Sequence, residues 1–154
     1  MPKTRKHGSL RSRSTRKHRG GAQILTQKSF DELIKNMLEV LTIVRLYHWK
    51  THSYSTHVAS GNLYDSLSGN IDKYAEAMIG KANGQYRIDM SNYKTLHIHG
   101  VDNNKVLATM IKKFINNVNK FHSKLHDYEY SEIKNIKDEI VGDLDKFLYL
   151  LTLA

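Results

Sequence analysis

Apolar residues recur at intervals of three and four along most of the chain, and this is the period of an amphipathic α-helix. Ser29, followed three residues later by Glu32, has the form of a capping box and predicts the start of the first helix. Residues 82–103 show no sustained period and are predicted to form a non-helical connection. The pattern predicts four helices, at residues 29–49, 55–79, 104–128 and 131–153.

The connections between these helices differ in length, and the difference predicts how the helices are arranged. A few residues join the first helix to the second and the third to the fourth, whereas residues 82–103 separate the second from the third. Short connections produce antiparallel hairpins, and two hairpins joined by one long crossover form a ferritin-like bundle. The predicted fold class is therefore all-α, a ferritin-like four-helix bundle with one long crossover between its second and third helices.

The charge of the chain is concentrated at its N-terminus. The sequence has 24 Lys and Arg against 15 Asp and Glu, a formal charge of +9. Residues 1–21 contain no acid and almost nothing apolar, so they cannot bury enough surface to offset their ordering entropy. We predict a disordered basic tail, residues 1–21, and one nearly neutral folded domain, residues 22–154. The tail contains eight cations: Lys3, Arg5, Lys6, Arg11, Arg13, Arg16, Lys17 and Arg19.

Such a tail is predicted to bind DNA or another polyanion, because mobile cations release counterions from any nucleic acid they meet. A solubilising tail or a nuclear-targeting patch is the alternative interpretation. No apolar run is long enough to span a bilayer, and the first twenty residues lack the apolar core of a secretory signal. We therefore expect neither a membrane partner nor secretion.

Polar residues at helical spacing mark a candidate metal site. His48 occupies an apolar seam position of the first predicted helix. The second predicted helix carries one imidazole and three carboxylates along a single stripe, and carboxylates at this spacing repel each other. A bound cation would relieve the repulsion, and imidazole together with carboxylate suits iron, manganese or zinc. The stripe consists of His57, Gly61, Asp65, Ser68, Asp72 and Glu76.

Several of these residues resemble the Dps proteins, the mini-ferritins of the ferritin-like superfamily. The similarity lies in His48-Trp49, in His57, in Leu63-Tyr64-Asp65 and in the Asp72-xxx-Glu76 motif, which begins fifteen residues after His57. The stretch His-Trp-Lys-Thr-His-Ser-Tyr and the ending Phe-Leu-Tyr-Leu-Leu-Thr-Leu are more similar still to uncharacterised Dps-like proteins of large DNA viruses. A location in the cytoplasm or nucleus of a host cell, or in a virion, is expected accordingly.

The resemblance implies a function and an assembly. Dps proteins oxidise iron(II) with peroxide or oxygen at a site shared across a two-fold interface. Carried over by position, His48 and His57 would come from one subunit, and Asp72 and Glu76 from its partner. The family assembles as a hollow dodecamer, so a dimer is the smallest oligomer expected. Some members bind DNA through a cationic N-terminal tail.

Two departures from the family pattern leave two hypotheses open. The interval from His48 to His57 is nine residues, about three fewer than the resemblance implies, and Gly61 stands where the family usually has a carboxylate. Asp65 or His52 would have to replace that ligand. The first hypothesis is a Dps-like iron-oxidising protein that binds DNA. The second is a non-enzymatic nucleic-acid packaging or virion structural protein that retains the bundle with a degraded metal site.

Other candidate ligands are expected to be secondary. His122 and His126 are four residues apart on the third predicted helix, a spacing that can bind zinc. No third ligand accompanies them, so a surface or interfacial position is predicted for this pair. Glu139 on the fourth predicted helix is a reserve ligand, because the fourth helix of a true ferritin contributes a carboxylate.

Overall fold

The fold is all-α. The computed structural model describes residues 26–82, 86–91, 100–101, 103–126 and 128–154. None of these residues forms a β-strand, and the predicted four-helix bundle is confirmed. The helices are α1 (Gln27–Lys50), α2 (Tyr54–Lys81), α3 (Asn104–His122) and α4 (Ser131–Leu151).

The N-cap of α1 lies three residues earlier than predicted. Thr26, not Ser29, is the N-cap: its side chain accepts a hydrogen bond from the Ser29 backbone N–H at 3.2 Å, and the Ser29 Oγ accepts one from the Thr26 N–H at 3.2 Å. Ser29 is therefore the third residue of the helix and the partner in the capping box. The prediction was wrong because both hydroxyl residues can cap and the intervening Gln27 and Lys28 are good helix formers.

The end of α3 is also earlier than predicted, at His122 instead of residue 128. The Ser123 backbone N–H bonds the carbonyls of Asn119 and Phe121, and Leu125 N–H bonds the His122 carbonyl at 3.1 Å. These bonds tighten the chain into turns. Leu125 is nevertheless buried, so the apolar periodicity continues past the point where the helix stops.

Each helix packs against two others. The contacting pairs are α1 with α2, α1 with α3, α2 with α4, and α3 with α4; within the described residues α1 and α4 make no backbone contact, nor do α2 and α3. The Tyr47 hydroxyl donates to Asn104, which places the end of α1 beside the start of α3. Lys81 at the end of α2 bonds Glu132 at the start of α4 at 2.7 Å. The chain thus forms a bundle in which α2 and α3 are diagonal.

A described part of the connection, residues 86–91, lies along the start of α1. The Gln27 amide donates to the Arg87 carbonyl at 2.5 Å and accepts from the Arg87 N–H at 3.3 Å. Asp31, only 3% exposed, accepts from Gln27 at 2.7 Å and from the Asp89 N–H at 3.1 Å. Tyr86 stacks on Phe30, with ring centroids 5.6 Å apart. The buried carboxylate of Asp31 therefore fixes backbone that is 58 residues away in sequence.

The core draws on all four helices. None of the helices in the described residues has an apolar stretch long enough to cross a bilayer. The largest fully buried side chains are Tyr74, Phe30, Phe147, Met37, Leu67, Met78, Leu107, Ile111, Ile133, Ile140, Leu144 and Val44.

Candidate metal centre

His48 and His57 form a stacked pair where α1 turns into α2. Their ring centroids are 3.9 Å apart and the ring planes differ by 23°. Only the three residues 51–53 connect the helices, and Thr51 Oγ1 lies 2.6 Å from Thr56 Oγ1 across this turn. The short interval between the two histidines thus brings the imidazoles into direct contact.

Each imidazole of the pair bonds the backbone of the other residue. His48 Nδ1 lies 2.8 Å from the His57 carbonyl oxygen, and His57 Nδ1 lies 2.9 Å from the His48 carbonyl oxygen. A carbonyl oxygen only accepts hydrogen bonds, so each Nδ1 carries the hydrogen and donates. In the neutral ring this leaves the lone pair on Nε2, and neither Nε2 bonds any residue that the structure describes. Both rings are held in a tautomer suited to a metal ligand.

Gly61 makes room for the His48 ring. A Cβ atom at this position would lie 3.1 Å from His48 Cε1 and 3.4 Å from His48 Nδ1. The buried Ser60 supports the same ring from 3.4 Å while its hydroxyl donates to the Thr56 carbonyl at 2.7 Å. The space beside residue 61, where the Dps pattern has a carboxylate, is therefore taken up by the imidazole of His48.

The predicted carboxylates do not join the histidine pair within one chain. Asp65, Asp72 and Glu76 are exposed on the outer side of α2. At a rise of 1.5 Å per residue, Asp65 is about 12 Å and Asp72 about 22 Å along the helix from His57. Within the described part of the chain no three His, Asp or Glu residues are close enough to hold one metal ion. Neither Asp65 nor the exposed His52 completes the site, so further ligands would have to come from solvent or from a second chain.

Arg45, one helical turn before His48, contacts two aromatic rings. Its guanidinium lies 4.3 Å from the ring centroid of Tyr64 and 5.1 Å from that of Trp49. Such cation–π contacts hold the guanidinium in place, and Trp49 remains 66% exposed. Sequence reasoning missed this cluster, although Arg45 and Trp49 are one turn apart and could have been paired.

The predicted surface position of His122 is wrong. This histidine is only 4% exposed, and its Nε2 lies 2.8 Å from the Tyr74 hydroxyl. No described residue bonds its buried Nδ1. Burial, reinforced by the charges of Lys137 and Lys134, lowers the pKa of His122 to about 4. The residue lies one turn after the buried Val118 and continues the apolar seam of α3.

The zinc pair is therefore not formed, since His126 is exposed while His122 is in the core. Glu139, the reserve ligand, is exposed on α4. One turn further on, Asp143 accepts a hydrogen bond from the Ser66 hydroxyl of α2. The eight cations of residues 1–21 lie outside the described residues, so polyanion binding by the tail stays a prediction.

Taken together, the fold and these contacts define an all-α four-helix bundle with an imidazole pair at its first hairpin. Residues 48–151 match a family of unknown function, DUF5856, and the chain belongs to that family. The matched stretch begins at His48 and includes all of α2, α3 and α4. Comparisons with curated proteins and with solved structures give no match.

Proposed function

We propose that this chain is a Dps-like protein that binds iron(II) at the His48–His57 pair, supports its oxidation by peroxide or oxygen, and binds DNA through residues 1–21. One observation carries the metal site: each Nδ1 donates to a backbone carbonyl, so each Nε2 keeps its lone pair. Metal-binding histidines commonly have this second bond, which orients the ring and raises the basicity of the ligand.

The packing of the helices supports a ferritin-like arrangement. α2 ends beside the start of α4, and α3 begins beside the end of α1. Because α1 and α2 are antiparallel, the end of α2 and the start of α3 lie at opposite ends of the bundle, as a long crossover between them requires. Two hairpins joined by such a crossover are the ferritin-like topology.

The missing ligands support a shared site. Asp72 and Glu76 are too far from the imidazoles to reach them in the same chain, and in the proposed site a second copy supplies these carboxylates. Two imidazoles with carboxylates suit iron, and manganese and zinc are the competing metals. The proposal therefore requires at least a dimer, and the Dps resemblance extends it to a dodecamer.

The second candidate is a non-enzymatic nucleic-acid packaging or virion structural protein, and a specific observation favours it too. The His48 carbonyl lies in the last turn of α1, where no helical N–H reaches it, and His57 satisfies it. The stacked pair therefore stabilises the α1–α2 hairpin whether or not it binds a metal. Gly61, which removes a ligand, is consistent with this purely structural role.

Substituting His57→Asn separates the two candidates. The Asn amide can donate to the His48 carbonyl in place of Nδ1, but it offers no lone pair at the position of Nε2. We expect the variant to keep its helicity and melting temperature while iron(II) binding under anaerobic conditions and peroxide-driven oxidation are lost. The exposed His126→Asn is the matched control and should behave as wild type. Oxidation at the wild-type rate in His57→Asn would leave only the structural candidate.

A further inference from the structure

The charges of the folded domain are segregated although their sum is small. Residues 103–126, which include α3, contain five lysines and neither Asp nor Glu. By contrast, α1 and α2 mix both signs, and α4 has three lysines against five acids. The five residues form the α3 lysine face: Lys105, Lys112, Lys113, Lys120 and Lys124.

Spacing and burial place these lysines on the outside of the bundle. All five are exposed, whereas Leu107, Ile111, Phe114 and Val118 on the other side of α3 are buried in the core. The lysines follow two rows, with steps of seven residues from Lys105 to Lys112 and from Lys113 to Lys120. From Lys105 to Lys120 the face is about 22 Å long at 1.5 Å per residue.

These cations have no carboxylate partner among the residues that the structure describes. The ion pairs there involve lysines of α1, α2 and α4. Two acids of α1 come near: Glu32 lines a groove with Lys120 and Lys124, and Glu39, which pairs with Lys35 at 3.3 Å, lines one with Lys113. Like charges gathered on one side of a helix repel each other, so the arrangement is not a device for stability.

The residues between the lysines indicate the partner. Asn116 and Asn119 are exposed amides whose N–H groups can donate to phosphate and sugar oxygens. The exposed hydroxyls of Thr109 and Ser123 donate to the backbone carbonyls of Lys105 and Lys120. An interfacial membrane helix would instead present apolar residues beside its cations, and the apolar side of α3 is in the core. A straight basic surface with amide groups between its cations fits the phosphate backbone of a duplex.

We infer that the α3 lysine face is a second nucleic-acid-binding surface, built into the folded domain and separate from residues 1–21. It contacts the phosphates of duplex DNA without reading base sequence. Since the surface belongs to the bundle, it remains a binding site whether or not the tail binds DNA.

The test uses the full chain and a 30-base-pair duplex, with affinity measured by fluorescence anisotropy over a range of salt concentrations. The variant Lys112→Gln/Lys113→Gln/Lys120→Gln removes three cations from the face. Each lost phosphate contact should make the slope of log affinity against log salt shallower by about 1, so a decrease of about 2–3 is expected. Gln is a good helix former at these exposed positions, and unchanged circular dichroism should verify folding.

The control variant Lys28→Gln/Lys73→Gln/Lys146→Gln removes the same charge from α1, α2 and α4. If both triple variants lose affinity equally, or if the α3 variant binds as wild type, the inference is overturned. Vesicles of phosphatidylcholine and phosphatidylserine serve as a second probe. Loss of vesicle binding with unchanged DNA binding would assign the face to membranes and refute the nucleic-acid proposal.

A third variant, Arg11→Gln/Arg13→Gln/Arg16→Gln, tests the tail by itself. If it binds DNA as wild type while the α3 variant is weakened, the tail proposal fails and the α3 lysine face stands. The opposite result would retain the tail and refute the face. If both surfaces bind, the slopes of the combined variant should change by the sum of the separate effects.

Discussion

The outward faces of α2 and α3 have opposite chemistry although both helices belong to one nearly neutral domain. α2 presents His57, Asp65, Asp72 and Glu76, whereas α3 presents lysines separated by amides and hydroxyls. The helices are diagonal in the bundle and make no backbone contact, so the two faces lie on opposite sides. A net charge close to zero thus conceals two surfaces, one with acids and an imidazole and the other with lysines.

One buried contact nevertheless joins the compared helices. Tyr74 of α2 and His122 at the end of α3 meet across the core, with the hydroxyl 2.8 Å from Nε2. Burial raises the pKa of Tyr74 and lowers that of His122, so both groups are neutral near pH 7. This polar pair is the place where protonation could disturb the packing between the two sides.

The largest expected effect is the recovery of iron(II) oxidation when two inactive variants are refolded together. His57→Asn lacks the imidazole ligand, and Asp72→Asn/Glu76→Gln lacks the carboxylates. If the site is shared across a two-fold interface, half of the dimers formed from an equal mixture contain both chains, and one of their two sites is intact. About a quarter of the wild-type rate of iron(II) oxidation should return after mixed refolding.

The separately refolded variants, combined without exchange of subunits, provide the baseline for that experiment. A mixture that stays as inactive as its components would show that α2 does not supply carboxylates to a neighbouring chain. The outward face of α2 would then be an ordinary solvated surface.

The second-largest expected effect is a loss of stability in acid, through the buried contact between Tyr74 and His122. The folded-state pKa of His122 is about 4 and its unperturbed value is 6.5, so the unfolded chain binds the proton more readily. The contribution of the neutral histidine to the free energy of unfolding is complete above about pH 6.5 and is lost as pH falls towards 4, by up to about 3 kcal/mol. Urea unfolding at pH 7 and pH 5 measures the decline.

The variant His122→Gln is the comparison for this effect, because its amide can still bond the Tyr74 hydroxyl but does not titrate in this range. We expect the stability of the variant to change less between pH 7 and pH 5 than that of wild type. Parallel declines in the two proteins would assign the acid sensitivity to other groups.

The smallest expected effect is a difference in stability between alanine variants at two glycines of α2. Gly→Ala in a helix interior ordinarily stabilises by about 1 kcal/mol. Gly69 has no atom within 4 Å of an added Cβ, so Gly69→Ala should show this gain, whereas Gly61→Ala places its Cβ 3.1 Å from His48. We expect Gly61→Ala to be less stable than Gly69→Ala by about 1 kcal/mol or more in thermal unfolding.

Gly61→Asp extends this comparison to the metal site. An added carboxylate would displace the His48 ring from its stacked position before it could act as a ligand, so iron binding should fall. Equal melting temperatures for the two alanine variants, or tighter iron binding by Gly61→Asp, would contradict the close contact between Gly61 and the imidazole.

Much of the fold was predictable because helix periodicity is a local property. The predicted ranges of the first, second and fourth helices agree with α1, α2 and α4 to within two residues. The two errors have local causes of their own: Thr26 competes with Ser29 as a cap, and Leu125 is buried although α3 has ended. Hydrophobic spacing reports which side chains face the core, not where the backbone leaves the helix.

The candidate site was predictable only in part. His48 and His57 were identified from their positions in the pattern, but their reciprocal hydrogen bonds depend on the geometry of the turn between α1 and α2. Asp31, Arg45 and His122 were missed or misplaced because their partners are distant in sequence. No spacing rule links Asp31 to the backbone of Asp89, or His122 to Tyr74.

The amino-acid pattern alone is enough to show that this protein is helical, which faces of its helices are apolar, and that its N-terminal segment is strongly basic. Tertiary structure decided which polar groups meet. It stacked the two imidazoles with that of His48 against Gly61, kept the carboxylates of α2 away from them, and turned the acids of α2 and the lysines of α3 to opposite sides. The physical reason is that burial follows from local periodicity, whereas hydrogen bonds and charge pairing depend on how separate helices are oriented around a common core.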